Sequence, residues 1–359
     1  MTIIETPFVG TDLGITGVSE VPTATTKQKP KDYTSDQEVR WCPGCGDYVI
    51  LATVRGFLAD LGLRRENMMF VSGIGCSSRF PYYLESYGLH SIHGRAPAIA
   101  TGLAVTRPDL SVWVVTGDGD ALSIGGNHLI HALRRNVNMT ILLFNNRIYG
   151  LTKGQYSPTS EEGKVTKSTP MGSVDHPFNT LSVALGAEAS FAARAMDSDR
   201  AGLTEVLLAA ARHRGTSFVE ILQDCPIFND GSFDQLRRDN AADHLIPLRH
   251  GEPIIFGADN EFAVVQSGFG LEIVSTRTVR ESDIMVHDAH ADGPEYAYAL
   301  SRLSDQDLGH VPTGIFRSVR RPTYDDAIRA QSESAAERAP LGDDSLQRLL
   351  SGPETWTVD

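Results

Sequence analysis

Between Tyr48 and Leu61 the apolar side chains Ile50, Leu51, Val54, Phe57, Leu58 and Leu61 recur at helical spacing, and Gly62 supplies the stop. Four short, nearly continuous apolar runs follow: Met68–Val71, Val112–Val115, Met139–Phe144 and Phe218–Leu222. Runs of this length, rich in β-branched residues, predict strands buried on both faces of a parallel sheet. Helical periodicity lies between them at 96–106, 124–135, 178–186 and 200–214. Strand alternating with helix predicts an α/β fold with a doubly wound, mostly parallel sheet. Two short strands, Ile254–Phe256 and Phe262–Val265, and a helix over 295–303 are predicted further on.

Each of the four strands is followed by a polar turn: Ser72-Gly73-Ile74-Gly75, Thr116-Gly117-Asp118-Gly119-Asp120, Asn145-Asn146 and Gln223-Asp224-Cys225-Pro226. In doubly wound sheets the ligand crevice lies beyond the carboxyl ends of the strands, where these turns fall. Residues 147–177 form a long connection of the kind that is functional in a compact domain. The Thr-, Pro- and Gly-rich residues 1–30 read as a flexible arm, with structure starting near Trp41. The domain reading is therefore an arm (1–30), a ligand-binding domain (31–245) and a C-terminal extension (246–359) that packs against other subunits and is partly mobile toward its charged end.

Forty-five acidic against thirty-two basic residues give a formal charge of −13 over 359 residues. This balance argues against nucleic-acid binding and against docking on anionic membranes. No basic leader followed by an apolar stretch is visible at the N-terminus, so the sequence reads as soluble and cytoplasmic.

Gly117-Asp118-Gly119 is the first chemical signal. Glycines at a strand end let backbone N–H groups approach a phosphate, and a following helix adds its positive end. Asp118 and Asn146 offer hard oxygens at the ends of two strands, as Mg²⁺ beside a diphosphate requires. The Gly119 and Asp120 N–H groups are placed to hold the diphosphate. No P-loop or complete dinucleotide fingerprint competes.

Cys42, Cys45, Cys76 and Cys225 are all the thiols in the chain. One Cys-x-x-Cys and two distant single cysteines favour an iron–sulfur cluster over the paired spacing of structural zinc. Ordinary buried thiols at Cys76 and Cys225, or a redox-active Cys42–Cys45 pair, are the alternatives.

Trp-Cys-Pro-Gly-Cys-Gly, Gly-Ile-Gly-Cys-Ser, His93-Gly94-Arg95-Ala96, Gly-Asp-Gly-Asp, Asn-Asn-x-x-Tyr-Gly-Leu-Thr-Lys-Gly-Gln and the Cys-Pro at 225 occur in this order. Over residues 38 to 260 the chain thus resembles the beta subunits of 2-oxoacid:ferredoxin oxidoreductases, with its nearest likeness in the two-subunit 2-oxoglutarate enzymes. The resemblance implies the thiamine-diphosphate-binding fold. It implies Mg²⁺ on Asp118, Asn146 and the Ile148 carbonyl, and one [4Fe–4S] cluster on the four cysteines. His93, the turn Ile74, Gly75, Cys76 and Ser77, residues Gly117 to Asp120 and the loop Tyr149, Gly150, Leu151 and Thr152 are implied to line the cofactor. His93 is thereby a candidate catalytic group, and Lys153 and Arg79 are candidates for the anionic groups of substrate or CoA.

The implied reaction is CoA-dependent oxidative decarboxylation of 2-oxoglutarate to succinyl-CoA, with electrons passed singly to ferredoxin. The residues before Gly117 leave no room for a pyrimidine-binding domain with its activating glutamate, so an alpha partner is expected, in an (αβ)₂ assembly. Pyruvate or broad 2-oxoacid specificity is the alternative within the class. A non-redox thiamine lyase and a zinc-stapled, non-catalytic module are the alternatives outside it. An acidic chain repels an acidic ferredoxin, so Arg237-Arg238 and Arg317 with Arg320-Arg321 are candidate docking patches. His287-Asp288-Ala289-His290-Ala291-Asp292 reads as a polar turn.

Overall fold

The computed structural model describes residues 16–237, 241–304, 307–338, 342, 344–352, 354 and 356. In chain order its elements begin with α1 (Asp47–Leu61), β1 (Met68–Ser72), β2 (Tyr87–His90), α2 (Ala96–Thr106) and β3 (Ser111–Gly117). They continue with α3 (Asp118–Leu122), α4 (Gly126–Arg135), β4 (Met139–Asn145), α5 (Thr180–Gly186), β5 (Phe191–Met196), α6 (Arg200–Arg212) and β6 (Thr216–Leu222). The remainder is α7 (Ala241–His244), β7 (Leu245–Leu248), β8 (Ile255–Phe256), β9 (Phe262–Ser267), β10 (Gly270–Ser275), α8 (Glu295–Ser301), β11 (Val311–Ser318), α9 (Tyr324–Arg338) and α10 (Ser345–Ser351). Among the described residues no helix is long and apolar enough to cross a membrane.

Eight strands form one sheet in the order β2-β1-β3-β4-β6-β5-β11-β7, and β10-β9-β8 form a small antiparallel one. In the large sheet only the β5–β11 pairing is antiparallel. Side chains alternate between its faces as the pleat requires. Trp113 and Val115 join Phe57, Leu58 and Leu207 of α1 and α6 in one core; Val112 and Val114 join Ala100, Leu129 and Leu133 of α2 and α4 in the other. The predicted doubly wound fold follows from this two-sided burial. α1 ends as the sequence indicates, with Gly62 left-handed at φ 69°.

Besides adding strands β2, β5 and β10, the structure departs from expectation in three places. Ordered structure begins before Trp41. Val21 is buried, Thr23 pairs with Leu63, the Gly17 N–H donates to Arg212 O at 2.9 Å, and Arg214 joins Glu20 at 2.8 Å. These long-range partners hold a segment whose composition alone has no period; residues 1–15 of the expected arm lie outside the described residues. Second, β7 and β11, from the segment beyond residue 245, complete the main sheet. Third, the charged tail forms helix α9 over 324–338, where Arg329 bonds the Ala104 carbonyl at 3.1 Å and Asp325 at 3.2 Å.

His213 fastens that second half to the first. At the end of α6 its Nε2 donates to Val319 O at 3.2 Å, just past β11, and Nδ1 lies 3.1 Å from Ser217 Oγ. Burial lowers its pKa from 6.5 to about 4. The folded protein therefore keeps His213 neutral, whereas the unfolded chain takes up a proton near pH 6.5. Stability is fully present above that pH and is lost as pH falls toward 4, by roughly 3 kcal/mol in all. We expect His213→Gln to flatten this acid limb when unfolding free energy is measured from pH 7.5 to 4.5; an unchanged slope removes His213 as its cause.

Candidate functional site

Adjacent strands β3 and β4 run parallel, pairing Gly117 with Phe144, so Asp118 and Asn145-Asn146 emerge side by side. Asp118 opens α3 with its carboxylate 2% exposed. Its Oδ2 lies 2.5 Å from Ser157 Oγ and 2.6 Å from Thr159 Oγ1, two hydroxyls brought in by the long loop after β4. Burial pushes the Asp118 pKa up to about 6, against the pull of those hydroxyls. A carboxylate so held has a standing demand for a cation. Asn146 turns its Nδ2 to Gln223 Oε1 at 2.9 Å, and its Oδ1 accepts from the Ile148 N–H at 3.2 Å.

Asp120, two residues on, has a bracing role. Its Oδ1 accepts the N–H groups of Ile74 (3.1 Å) and Gly94 (2.8 Å), and its Oδ2 the Thr116 hydroxyl (2.6 Å). One carboxylate thus gathers the β1, β3 and His93 turns. A Cβ on Gly73 would lie 1.9 Å from Asp120 Oδ2, so the turn requires glycine. His93 Nδ1 is 2.6 Å from Asp120 Oδ1, close but without hydrogen-bond angles.

These turns border a cleft of about 90 Å³. Ile74, Gly75, Cys76, Ser77, His93, Gly117, Asp118, Gly119, Asp120, Asn146, Ile148, Tyr149, Gly150, Leu151 and Thr152 all line it, so every residue assigned to the cofactor from sequence falls on one surface. Phe144 and Gln223 complete the lining; the sequence reading missed them, as it missed Ser157 and Thr159. For the two hydroxyls a signal existed in the Ser-x-Thr-Ser at 157–160, but nothing in sequence ties that loop to Asp118. Ser77 Oγ is buried without a partner, a donor left for a ligand. Tyr149 closes the floor: its OH donates to Gly119 O at 3.1 Å, and a Cβ on Gly119 would meet the ring at 2.1 Å.

The thiols lie behind the same wall. A methyl on Gly150 would touch Sγ of both Cys76 and Cys225 at 3.5 Å. Cys42 and Cys45 sit on a turn closed by Cys45 N–H to Cys42 O at 3.1 Å, with Gly44 left-handed at φ 82°. Gln223 Nε2 donates to Cys45 Sγ at 3.3 Å, and Trp41 Nε1 to Cys76 O at 2.7 Å. Burial pushes the Cys76 thiol up to about 12 and raises Cys45 and Cys225; buried Asp47, itself raised by desolvation to about 7, adds to this. The grouped thiols thus face a shortage of positive charge. Among the described residues no three His, Cys, Asp or Glu side chains converge tightly enough for a single metal ion.

The structure does not bring Lys153 and Arg79 into the cleft. Lys153 is exposed, in a left-handed turn at φ 76°. Arg79 donates to Arg40 O at 2.7 Å, on the thiol side. The proposed docking patches are corrected. Arg237 is paired with Asp197 at 2.5 Å and Asp224 at 3.7 Å; Arg317 is buried, bonding Ala189 O at 2.7 Å and Asp292 O at 2.5 Å; Arg321 bonds Glu188 O. These side chains hold the fold together. Arg238 lies outside the described residues. His287 is buried, with Nε2 2.8 Å from Ile315 O.

Residues 73–221 match a family model described as thiamine pyrophosphate enzyme, C-terminal TPP binding domain. The whole chain is 70% identical to the 2-oxoglutarate oxidoreductase subunit KorB of Mycobacterium tuberculosis, covering 97% of that protein. Across 55% of this chain and 64% of the relative it is 43% identical to the beta subunit of 2-oxoacid:ferredoxin oxidoreductase 2 of Aeropyrum pernix. A solved 2-oxoglutarate:ferredoxin oxidoreductase from Magnetococcus marinus, with 2-oxoglutarate, coenzyme A and succinyl-CoA bound, superposes with a TM-score of 0.74. It is 35% identical, and the match covers 93% of this chain and 100% of that one.

The packing of Tyr149 on Gly119 makes a direct test. We expect Gly119→Ala to destabilise the fold by about 1–3 kcal/mol, because the ring cannot retreat without leaving its hydrogen bond. Gly102→Ala in α2, where a Cβ meets nothing within 4 Å, should instead be neutral or gain up to about 1 kcal/mol. Chemical denaturation of the two variants decides; equal effects would refute the packing argument.

Proposed function

The chain belongs to the beta-subunit family of the 2-oxoacid:ferredoxin oxidoreductases, among the 2-oxoglutarate oxidoreductase subunits of the KorB type, and from this we propose that it oxidatively decarboxylates 2-oxoglutarate together with an alpha partner. CoA takes the acyl group as succinyl-CoA, CO₂ leaves, and the electrons pass one at a time to ferredoxin. The observation that carries this reading is the shared wall: Tyr149-Gly150 faces the cleft, and Gly150 abuts two of the four thiols. A non-redox lyase or a zinc-stapled module gives no reason for that adjacency.

The donor set fits thiamine diphosphate and Mg²⁺. Asp118, the Asn146 side chain and the Ile148 carbonyl would hold the cation, and the Ser77 hydroxyl and the Gly119 and Asp120 N–H groups the diphosphate. The four cysteines fit a [4Fe–4S] cluster: they are grouped, yet too spread for one ion, and burial penalises the charge of Cys45, Cys76 and Cys225 until iron would compensate it. Bound there, thiamine diphosphate would supply the electron sink for decarboxylation, and a cluster would supply single-electron acceptance.

The protein's own residues position and exclude. Ser157 and Thr159 fix the Asp118 carboxylate. Asp120 sets the turns carrying Ile74 and His93, so His93 faces the cleft from a braced backbone. Leu151 and Thr152 belong to the cleft wall. Lys153, exposed beside them, is the cation in reach of an incoming carboxylate or of CoA. Arg79 is a cation whose charge reaches Cys76, and it donates to Arg40 O on the same side. The activating glutamate is assigned to the alpha partner in an (αβ)₂ assembly; residues 31–245, with β7 and β11 completing the sheet, form the cofactor-binding domain, and the rest of 246–359 is assigned to packing against subunits.

The test is anaerobic. The chain purified with its alpha partner should reduce a viologen dye in the presence of CoA and 2-oxoglutarate, and only weakly with pyruvate. Asp118→Ala should abolish turnover and thiamine diphosphate retention while leaving the iron content intact. Cys225→Ser should lower the iron content and the dye reduction while leaving thiamine diphosphate retention intact. A preference for pyruvate would remove the substrate assignment; a colourless but active complex would remove the cluster.

A further inference from the structure

Behind Asp118 the polar contacts do not end. Thr159 Oγ1, 2.6 Å from Asp118 Oδ2, is also 2.9 Å from Asn145 Oδ1. Asn145 Nδ2 donates to Glu220 Oε1 at 2.7 Å. Glu220 Oε2 accepts from Arg194 Nε at 2.6 Å. Arg194 is fixed in turn through Nη1, to Ser304 Oγ at 2.8 Å and Pro312 O at 3.2 Å. Arg194 and Glu220 are register partners on β5 and β6, 5% and 1% exposed. A buried ion pair of this kind brings little net stability. Here it brings orientation.

We propose that Glu220, clamped by Arg194, is a positioning residue for the cation site: it fixes the Asn145 amide, which decides where the Thr159 proton goes and so what Asp118 offers a metal ion. This rests on the reading of Asp118 as a cation ligand. A carboxylate accepts and never donates, so Glu220 takes the NH₂ end of Asn145 and leaves Oδ1 facing Thr159. That orientation is the one the Arg147 N–H needs, since it donates to the same Oδ1 at 3.2 Å. With Oδ1 in place, the single Thr159 proton has two acceptors, Asn145 and Asp118. Asp118 Oδ2, already served by Ser157, is then not obliged to take a second full hydrogen bond, and its electron density remains for the cation. Were the amide turned, its NH₂ would face Thr159, and the Thr159 proton would go to Asp118 alone.

Glu220→Gln performs that turn. Arg194 has only hydrogens to give, so it claims the glutamine oxygen, and the glutamine NH₂ then faces Asn145 and forces its amide round. The experiment uses the complex with the alpha partner, loaded with thiamine diphosphate, and titrates Mn²⁺ by electron paramagnetic resonance. Glu220→Gln should weaken Mn²⁺ binding about tenfold or more, the usual effect of disturbing a ligand's hydrogen-bond support. Adding Arg194→Met to Glu220→Gln should restore binding, because the glutamine is then free to present its oxygen to Asn145. Arg194→Lys keeps the charge but loses the fork that pins Glu220. It should give a smaller loss in the same direction, which keeps the test readable if Glu220→Gln does not assemble. Parental affinity in both Glu220→Gln and Arg194→Lys overturns the proposal. So does a loss that Arg194→Met fails to repair, since that would mark damage rather than orientation. A parent complex that binds no Mn²⁺ overturns the reading of Asp118 itself, and the proposal with it.

Discussion

A carboxylate at the end of a buried strand must be both hidden and kept fit for charge, and Asp118 is where this protein meets that conflict. Desolvation opposes its ionisation, and two hydroxyls only partly offset it. Most of the architecture of the site answers this one constraint. The loop between β4 and α5 must be long because it has to leave the sheet and return Ser157 and Thr159 to within hydrogen-bonding distance of a residue on the neighbouring strand. The parallel pairing of β3 with β4 is needed because only then do Asp118 and Asn146 leave the sheet on the same edge. A second carboxylate, Asp120, is spent on the opposite task of tying backbone N–H groups from separate turns, which makes the cleft rigid before anything enters it.

The same economy of space joins the cleft to the thiols. Tyr149 lies on Gly119, where no larger residue fits, and the next residue, Gly150, brings the backbone within contact distance of two sulfurs. Any thickening of that wall would separate the two chemistries. On the proposed reading, a thin wall would keep electron donor and acceptor close, as single-electron transfer favours. The wall is therefore as much a functional element as any ligand.

Much of this was legible in the sequence where one residue type admits few roles. Gly117-Asp118-Gly119, the cysteine spacing and the polar turns after apolar runs each constrain geometry locally, and the residues that the family resemblance added to the thiamine site line one cleft with Asp118 and Asn146. What remained hidden depends on partners far away in sequence. β5 is alanine-rich and carries a central arginine, so it lacks a strand's apolar signature until Glu220 of β6 is beside it. β11 and β7 join the main sheet across long connections that no local pattern reports. The arginines expected to form docking patches read as surface charge, because a side chain that bonds a distant carbonyl has the same letter as one in solvent. Ser157 and Thr159 had a visible motif but no visible target.

The buried polar residues that obscured β5 also show why this sheet is not simply an apolar slab. An arginine and a glutamate inside a parallel sheet would gain nothing by themselves that two packed aliphatic side chains could not supply. Their value lies in direction. A charged pair accepts only one arrangement of the amide above it, and that amide accepts only one arrangement of the next hydroxyl. Hydrogen-bond polarity, unlike packing, has a sense along a chain of contacts, so it can carry an orientation from the middle of the sheet to its edge. The strands of this protein thus do more than place Asp118 at the right point in space. They determine which way the groups behind it face.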